Sequence, residues 1–518
     1  MAYLTACLRA RLSNYQGMVA RTIVALHFAS FSLLGADVLQ HHLHGSRDGL
    51  YVDPLVTRTS AATLHRDLTF NAPIPGPTYA QPLYVNNGPG GRAALIVATE
   101  QNAVLALDAA DGSRMWVSYL GTPVPLSQLP CGVIDPLGVT GTPAIDADAR
   151  VIYVDAMTTP DNGVNKLHRI FALSLDDGST LPGWPLDLSN LTYQSMAFDS
   201  TYQNQRGALI LNAGILYAPY GGHAGDCGPY HGWVVAVPVN DPSRASAWAT
   251  GAIAGGIWAP GGLATDGTSI FAITGNTAGA DQWVGGEAVV RLGPGATFSR
   301  DPADYFVPSN WLDLDGADLD LGGSGPILVD VPGATPSQLV VALGKNGVAY
   351  LLDRNHLGGT GTGDGTRGEG LQSALVSIGA IATAAAAYTT ESGTYVVFKA
   401  TDDGVGCPGK PGDLIALKIS ATAPPTMSVA WCADNLGGGS PIVTTTDGTS
   451  QPIVWTAGAE FTNQLHAYDG ETGELLYTGG GPNEHMGNIQ HFQVPIVVDG
   501  RIFVAADNEL YAFTVDRQ

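Results

Sequence analysis

ALDAADGSRMW, residues 106–116, decides how this chain is read. AYDGETGELLY, residues 467–477, aligns with it without a gap, pairing Ala106 with Ala467, Asp108 with Asp469, Gly112 with Gly473 and Trp116 with Tyr477. Each stretch follows a strand-like run, LIVATEQNAVL in one case and PIVWTAGAEFTNQLH in the other. The shared unit is a strand, an Asp/Gly turn that needs a residue at ease with positive φ, and a second strand ending in an aromatic. Looser copies begin at ALSLDDGSTLPGW (172–184), AVPVNDPSRASAW (236–248), AVVRLGPG (288–295), AYLLDRN (349–355), ALKIS (from 416) and YAFTV (511–515). Taking one alanine per copy gives Ala106, Ala172, Ala236, Ala288, Ala349, Ala416, Ala467 and Ala512. Their mean spacing is about 58 residues, somewhat longer than a bare four-stranded propeller blade.

Eight such units predict an all-β chain, an eight-bladed β-propeller of four-stranded antiparallel blades. A solenoid fits less well, because the units lack helical periodicity. The last unit is short, so the stretch around TLHRDLTFNAPIPG (63–76) is expected to supply its outer strand and close the ring, which removes exposed sheet edges.

Composition agrees. The 518 residues include 67 Gly and 33 Pro, and only 13% are charged, against about 25% in an average soluble protein. Hydrophobic residues make up 45%, which excludes disorder over most of the length, and the glycine content excludes a helix bundle or coiled coil. The net charge of −23 repels phosphate backbones and anionic headgroups, so neither nucleic acid nor a lipid surface is expected as a partner.

Residues 22–36 (TIVALHFASFSLLGA) form an uncharged run after Arg21. It has the length of a signal-peptide core and is too short to span a bilayer. Gly35 and Ala36 suit a cleavage site, although Leu34 does not, and Met18 is an alternative start. Residues 1–36 are therefore expected to be a leader, residues 37–518 a single propeller domain, and the mature protein secreted or periplasmic with no integral membrane segment. Four cysteines remain beyond the leader, Cys131, Cys227, Cys407 and Cys432. An even count in an exported chain suggests disulfides, in one of three connectivities. Cys407 and Cys432 flank one strand-like unit, which favours a local pair and leaves Cys131 with Cys227. None has CxxC spacing.

The repeat resembles that of the PQQ-like (pyrroloquinoline-quinone) β-propellers, whose motif A-[LF]-[DN]-x-x-[DT]-G-x-x-x-W residues 106–116 meet in full. The strings GVTGTPAID (138–146), GGIWAPGG (255–262), DLDLGGSGPILV (318–329) and VPIVVDGRIFVAADNELYAF (494–513) extend the likeness over about residues 38–516, and toward an exported bacterial subfamily of PQQ-binding-like propellers. Quinoprotein dehydrogenases of this fold hold PQQ in a central funnel with a stacking Trp, a Ca²⁺ on carboxylate and amide ligands, an Asp base and often a disulfide between adjacent cysteines. The resemblance implies PQQ and calcium as cofactors, with Trp258 as the stacking ring, Lys345 opposite a carboxylate, and Asn204 and Asn276 beside them. No adjacent cysteine pair is present.

Three groups of polar residues stand out. Asn204 and Arg206, with His223, Asp226, Tyr230, His231 and Trp233 on a Gly-rich loop, offer acid/base groups and a bidentate carboxylate binder. Packing of that loop against the next blade is the competing reading. Asp313, Asp315 and Asp318, with Asp320, crowd DLDGADLDLGG and suit Ca²⁺, although the spacing departs from the EF-hand and Asx-turn chemistry within a blade connection is the competing reading. His41, His42 and His44 after the leader, and His485 and His491 in NEHMGNIQHF, lack a recognised metal spacing, and the first group is expected on a surface strand or linker. Three functions follow: a propeller that binds a small-molecule, carbohydrate or protein ligand through its funnel; a PQQ- and Ca²⁺-dependent dehydrogenase of alcohols or sugars; or a carbohydrate-active, lyase-type enzyme built on His223, His231, Tyr230 and Arg206.

Overall fold

Alternating apolar runs separated by glycine turns fold into eight antiparallel sheets, in a computed structural model that describes residues 36–365 and 368–515. The first sheet shows the pattern, with strands Leu83–Val85, Ala94–Ala98, Ala103–Asp108 and Arg114–Tyr119 hydrogen-bonded in chain order from the axis outward. The following blades span 144–187, 203–249, 264–307, 327–375, 386–433, 442–477 and 496–514. The protein is an eight-bladed β-propeller. Seven of the marker alanines lie on the third strand of successive blades, and Ala288 immediately precedes it. All eight are buried. Two blades depart from four strands by adding a parallel fifth, Leu50–Val52 beside Ile442–Thr445 and Gly359–Thr360 beside Tyr305–Val307.

The Asp/Gly turn and the terminal aromatic work together across neighbouring blades. Trp116 donates its indole N–H to the Leu175 carbonyl (3.0 Å) and lies on Gly178 in the turn of the second blade. Trp431 repeats this on the seventh blade, donating to the Gly470 carbonyl at 2.8 Å and covering Gly473. Both glycines have φ near +70° and no room for a Cβ, which would sit 2.6 Å from the indole. A side chain at either position would lift the aromatic out of the seam between blades.

The N-terminal stretch closes the ring. His65–Arg66 and Ala72–Pro73 both pair antiparallel with Glu509–Thr514, the third strand of the last blade, and supply its outer edge. The same stretch meets the first blade, where the Asn71 amide donates to the Asp111 carbonyl.

Residues 37–53 occupy the centre of the ring. Inner strands of a propeller present unpaired backbone groups to the central channel, and this segment hydrogen-bonds to all eight blades. Val38 exchanges two backbone bonds with Tyr84 of the first blade, and the Leu39 carbonyl accepts from Ile145 of the second. Arg47 donates to the carbonyls of Leu209 and Leu263 beside the third and fourth inner strands, at 3.0 and 2.7 Å. The carbonyls of Gly45, Ser46, Asp48 and Gly49 accept from Thr265, Leu328, Ala387 and Val443, one on each of blades four to seven. Asp53 accepts from the Gly500 amide of the eighth at 2.7 Å. The histidines expected on a surface linker are therefore in the channel. His41 and His42 are buried and stacked on each other with centroids 4.4 Å apart, while His44 alone reaches solvent and binds Asp48.

Both cysteine pairs expected from the sequence form, Cys131 with Cys227 and Cys407 with Cys432. Among the described residues no helix is long and apolar enough to cross a membrane. The leader expectation for residues 1–36 falls, apart from Ala36, outside the described residues.

Candidate functional site

Strand direction fixes which loops share an end of the propeller. Each inner strand runs away from one end, so the loop between a blade's second and third strands and the connection to the next blade both return to that end. Apart from His41, His42 and His44 in the channel, the residues singled out above for chemistry lie on these loops or at their borders. They separate into three groups rather than one.

The first group surrounds the axis. Tyr79, Thr140, Arg206, Pro260 and Phe492 enter five different blades, and with His491 and the plugging His41 they enclose a cavity of about 10 Å³, the space of a single water. The Arg206 guanidinium lies 4.7 Å over the Phe492 ring and donates to Nε2 of His491. The opposite ring nitrogen of His491, Nδ1, is 2.6 Å from Glu460. An arginine only donates, so Nε2 is the acceptor and the proton sits on Nδ1, shared with Glu460. Burial and the neighbouring guanidinium hold His491 below its ordinary value. Burial also lowers Arg206, to about 10, leaving it cationic at neutral pH. Among the described residues no carboxylate pairs directly with Arg206. Glu100, fully buried nearby, accepts from the Gly138 amide at 2.6 Å and keeps Oε1 without a partner. Desolvation pushes it up to about 7. Beyond Glu460 and Gly438 an acidic cleft of about 530 Å³ opens, containing Asp402, Asp413 and Asp434, with Phe461 exposed at its edge.

The second group is packing. His223 is buried, bonds the Thr201 carbonyl at 3.1 Å, and is lowered by burial to about 4. Tyr230 donates to Asp226 at 2.6 Å, lies flat on Gly222, and is raised by burial. His231 bonds the Thr250 carbonyl at 3.0 Å and bridges Ala254 through its backbone. Asn204 is buried in a strand pairing with Gly221. These residues hold the loop tethered by Cys131–Cys227 to the third blade and the connection that follows it. Among the described residues none of the three aromatic side chains hydrogen-bonds Arg206, so the four expected catalytic groups do not form one set.

The third group gathers around Lys345. Its ammonium is 3.1 Å from Asp318, contacts Asp320, and lies 5.2 Å over the Trp258 ring. Asn276 joins through its backbone amide, 2.6 Å from Asp320. The aspartate loop expected to hold Ca²⁺ is instead the helix Trp311–Ala317 and its exit. Asp313 is exposed on its first turn, Asp315 takes the amide and hydroxyl of Thr277 at 2.7 Å each, and Asp318 turns to Lys345. Among the described residues no three His, Cys, Asp or Glu side chains converge as an ion's ligand set.

Sequence reasoning missed Glu287, Glu100, Tyr79 and Glu460. Glu287 is fully buried, accepts from the Leu321 amide at 2.6 Å, and is raised well above its ordinary value by burial and by Asp320. Asp320, counted with the aspartate cluster from the sequence, is buried and pairs with Lys345.

Solved structures with the same architecture are similar over nearly the whole chain. The quinohemoprotein alcohol dehydrogenase of Comamonas testosteroni superposes with a TM-score of 0.60 at 15% identity, covering 93% of this chain and 81% of that one. What the two share is the propeller fold. A europium-containing methanol dehydrogenase gives 0.62 at 14% identity, covering 93% and 98%. The quinohemoprotein alcohol dehydrogenase ADHIIG of Pseudomonas putida HK5 gives 0.63 at 12%, covering 92% and 80%. No family model matches the sequence, and no curated protein matches it. At these identities the likeness concerns the fold, and activity has to be argued from the site.

The residues present do not fit PQQ. The axial cavity is the space of a single water, too small for a tricyclic quinone, so that only the anionic end of a ligand can reach into it. The ring expected to stack, Trp258, has Lys345 over one face, and the carboxylates around Lys345 are bound to it or to Thr277 and Leu321.

Proposed function

We propose that this is an exported binding propeller that takes a small ligand through an anionic group, a carboxylate by preference, on Arg206 at the mouth of its central channel. The observation that supports this reading is a half-buried guanidinium at the axis with, among the described residues, one hydrogen bond, an aromatic floor and no carboxylate in contact. Such a group has N–H donors left for a bidentate partner. Glu460 and Glu100 stand near enough to temper the field without occupying the guanidinium. Residues 37–53 fill the channel, so the ligand arrives from the loop end. The two disulfides support a secreted or periplasmic location.

Calorimetry with a panel of small carboxylates, including uronic acids, tests the reading on the purified protein and on Arg206→Gln. At least one ligand should bind, and the variant should bind it at least about tenfold more weakly, a loss of about 1.4 kcal/mol. PQQ with Ca²⁺ should neither raise the melting temperature nor support dye reduction with alcohols or sugars. Stabilisation by PQQ and Ca²⁺ with turnover, or unchanged binding in Arg206→Gln, overturns it.

A further inference from the structure

At the outer rim, far from the channel in strand order, a second cleft lies between the third and fourth blades. It has a volume of about 360 Å³, within the range of small-molecule sites. Its walls come from separate elements: Trp248 from the outermost strand of the third blade, Tyr305 from the fourth strand of the next, Tyr193 from a hairpin, Trp283 from a blade-four loop, and Phe298 from the turn before Tyr305. Trp283 and Tyr305 stack at 4.3 Å and 20°, making one extended apolar platform. Phe298 meets Trp248 edge-on at 5.8 Å and Tyr305 at 6.2 Å. The Trp283 indole N–H is spent on the Gly286 carbonyl at 2.7 Å, which fixes that ring in place.

Two polar side chains border these rings, Gln194 and Arg300. Both are exposed, and among the described residues neither side chain has a hydrogen bond or an ion pair. Both have left-handed backbones, with φ of +53° and +63°. Such residues persist where the surrounding structure holds them and are common at ligand clamps. Arg300 is the one charged residue of the lining, and no carboxylate faces the rings. That disfavours a quaternary ammonium, which an aromatic cage would otherwise suit. It favours a ring with an apolar face and a hydroxylated edge: aromatic π faces are negative and attract polarised C–H groups, while an amide and a guanidinium donate to hydroxyls.

We infer that the rim cleft of Trp283, Tyr305 and Phe298, bordered by Gln194 and Arg300, is a saccharide-binding site independent of Arg206. The probes are neutral hexasaccharides of glucose, xylose and mannose and an oligogalacturonate, titrated into the full chain while intrinsic tryptophan fluorescence is read. At least one saccharide should give a saturable change. Trp283→Ala should weaken it at least tenfold, and so should Arg300→Ala, an exposed change that leaves the packed rings in place and separates lost contact from lost folding. Arg206→Gln should bind the saccharide as the parent does. Absence of saturable binding across the panel, binding insensitive to Arg300→Ala and Trp283→Ala, or saturable binding of tetramethylammonium in place of sugars overturns the inference.

Discussion

Arg206 and His491 are 285 positions apart in the chain and meet at the axis, guanidinium N–H against imidazole Nε2. The contact assigns the tautomer, because a second proton on His491 would set two donors against each other. His491 is therefore expected to hold its single proton on Nδ1 and to take up a second only at lower pH than an ordinary imidazole. Ring-nitrogen chemical shifts in ¹⁵N-histidine-labelled protein read this directly. Arg206→Met removes both the opposing charge and the donor while Glu460 remains 2.6 Å away, so His491 should then titrate at higher pH. A downward move, or no move, contradicts the geometry.

The channel plug gives a stability prediction. Burial lowers Arg47 to about 9, yet it donates to three buried carbonyls, His41, Leu209 and Leu263, at 2.7–3.0 Å. Arg47→Met keeps much of the packing and leaves those acceptors without the donor. At about 1–3 kcal/mol per orphaned group, the loss should reach several kcal/mol, seen as a lower urea midpoint with the slope unchanged. A midpoint within error of the parent would mean that the plug is dispensable to the ring.

What was legible depends on whether a contact is local. The marker alanine recurs at or beside each third strand, and the aromatic that covers a neighbour's Asp/Gly turn belongs to the best-kept units, so Trp116 on Gly178 could be anticipated from the repeat. The ring closure by residues 65–73 followed from a missing strand. The plug was not legible, because it acts through backbone carbonyls and one arginine, and HHLHGSRDG has no periodicity to mark it. The same limit hid the axial site. Arg206 stood out by type, but its partners Glu460 and His491 belong to blades brought beside it only when the ring closes. His223 and Tyr230 show the opposite error, since residues suited to acid/base work were recruited to tether a loop.

His466 predicts a pH dependence with a definite sign. It is buried, bonds Thr462 through Nε2 at 2.8 Å, and has no partner at Nδ1. Burial lowers it from 6.5 to about 4. As the pH falls through 6.5 the unfolded chain takes up a proton that the folded chain refuses, so stability is lost at about 1.4 kcal/mol per pH unit until about pH 4. Other groups titrate in the same window, including Glu100 with the opposite sign, so the clean measurement is a difference. The stability of His466→Gln relative to the parent should improve by about 2–3 kcal/mol between pH 7.5 and 4.5. A difference independent of pH would show that His466 accepts its proton in the folded state.

The two disulfides should differ in worth. Cys131 and Cys227 enclose 96 residues and join the loops of different blades, whereas Cys407 and Cys432 enclose 25 within one blade. Constraint of the unfolded chain grows with the logarithm of the loop, so the long bridge should contribute about 1 kcal/mol more. The comparison is between Cys131→Ala/Cys227→Ala and Cys407→Ala/Cys432→Ala, by urea midpoint under non-reducing conditions. The short bridge also meets Gly404, where a Cβ would lie 2.7 Å from one sulfur and 2.9 Å from the other, so Gly404→Ala should cost stability while the 407–432 bridge is intact and little once both cysteines are alanine. Equal cost in both backgrounds would place the constraint on Gly404 in the backbone rather than in the sulfurs.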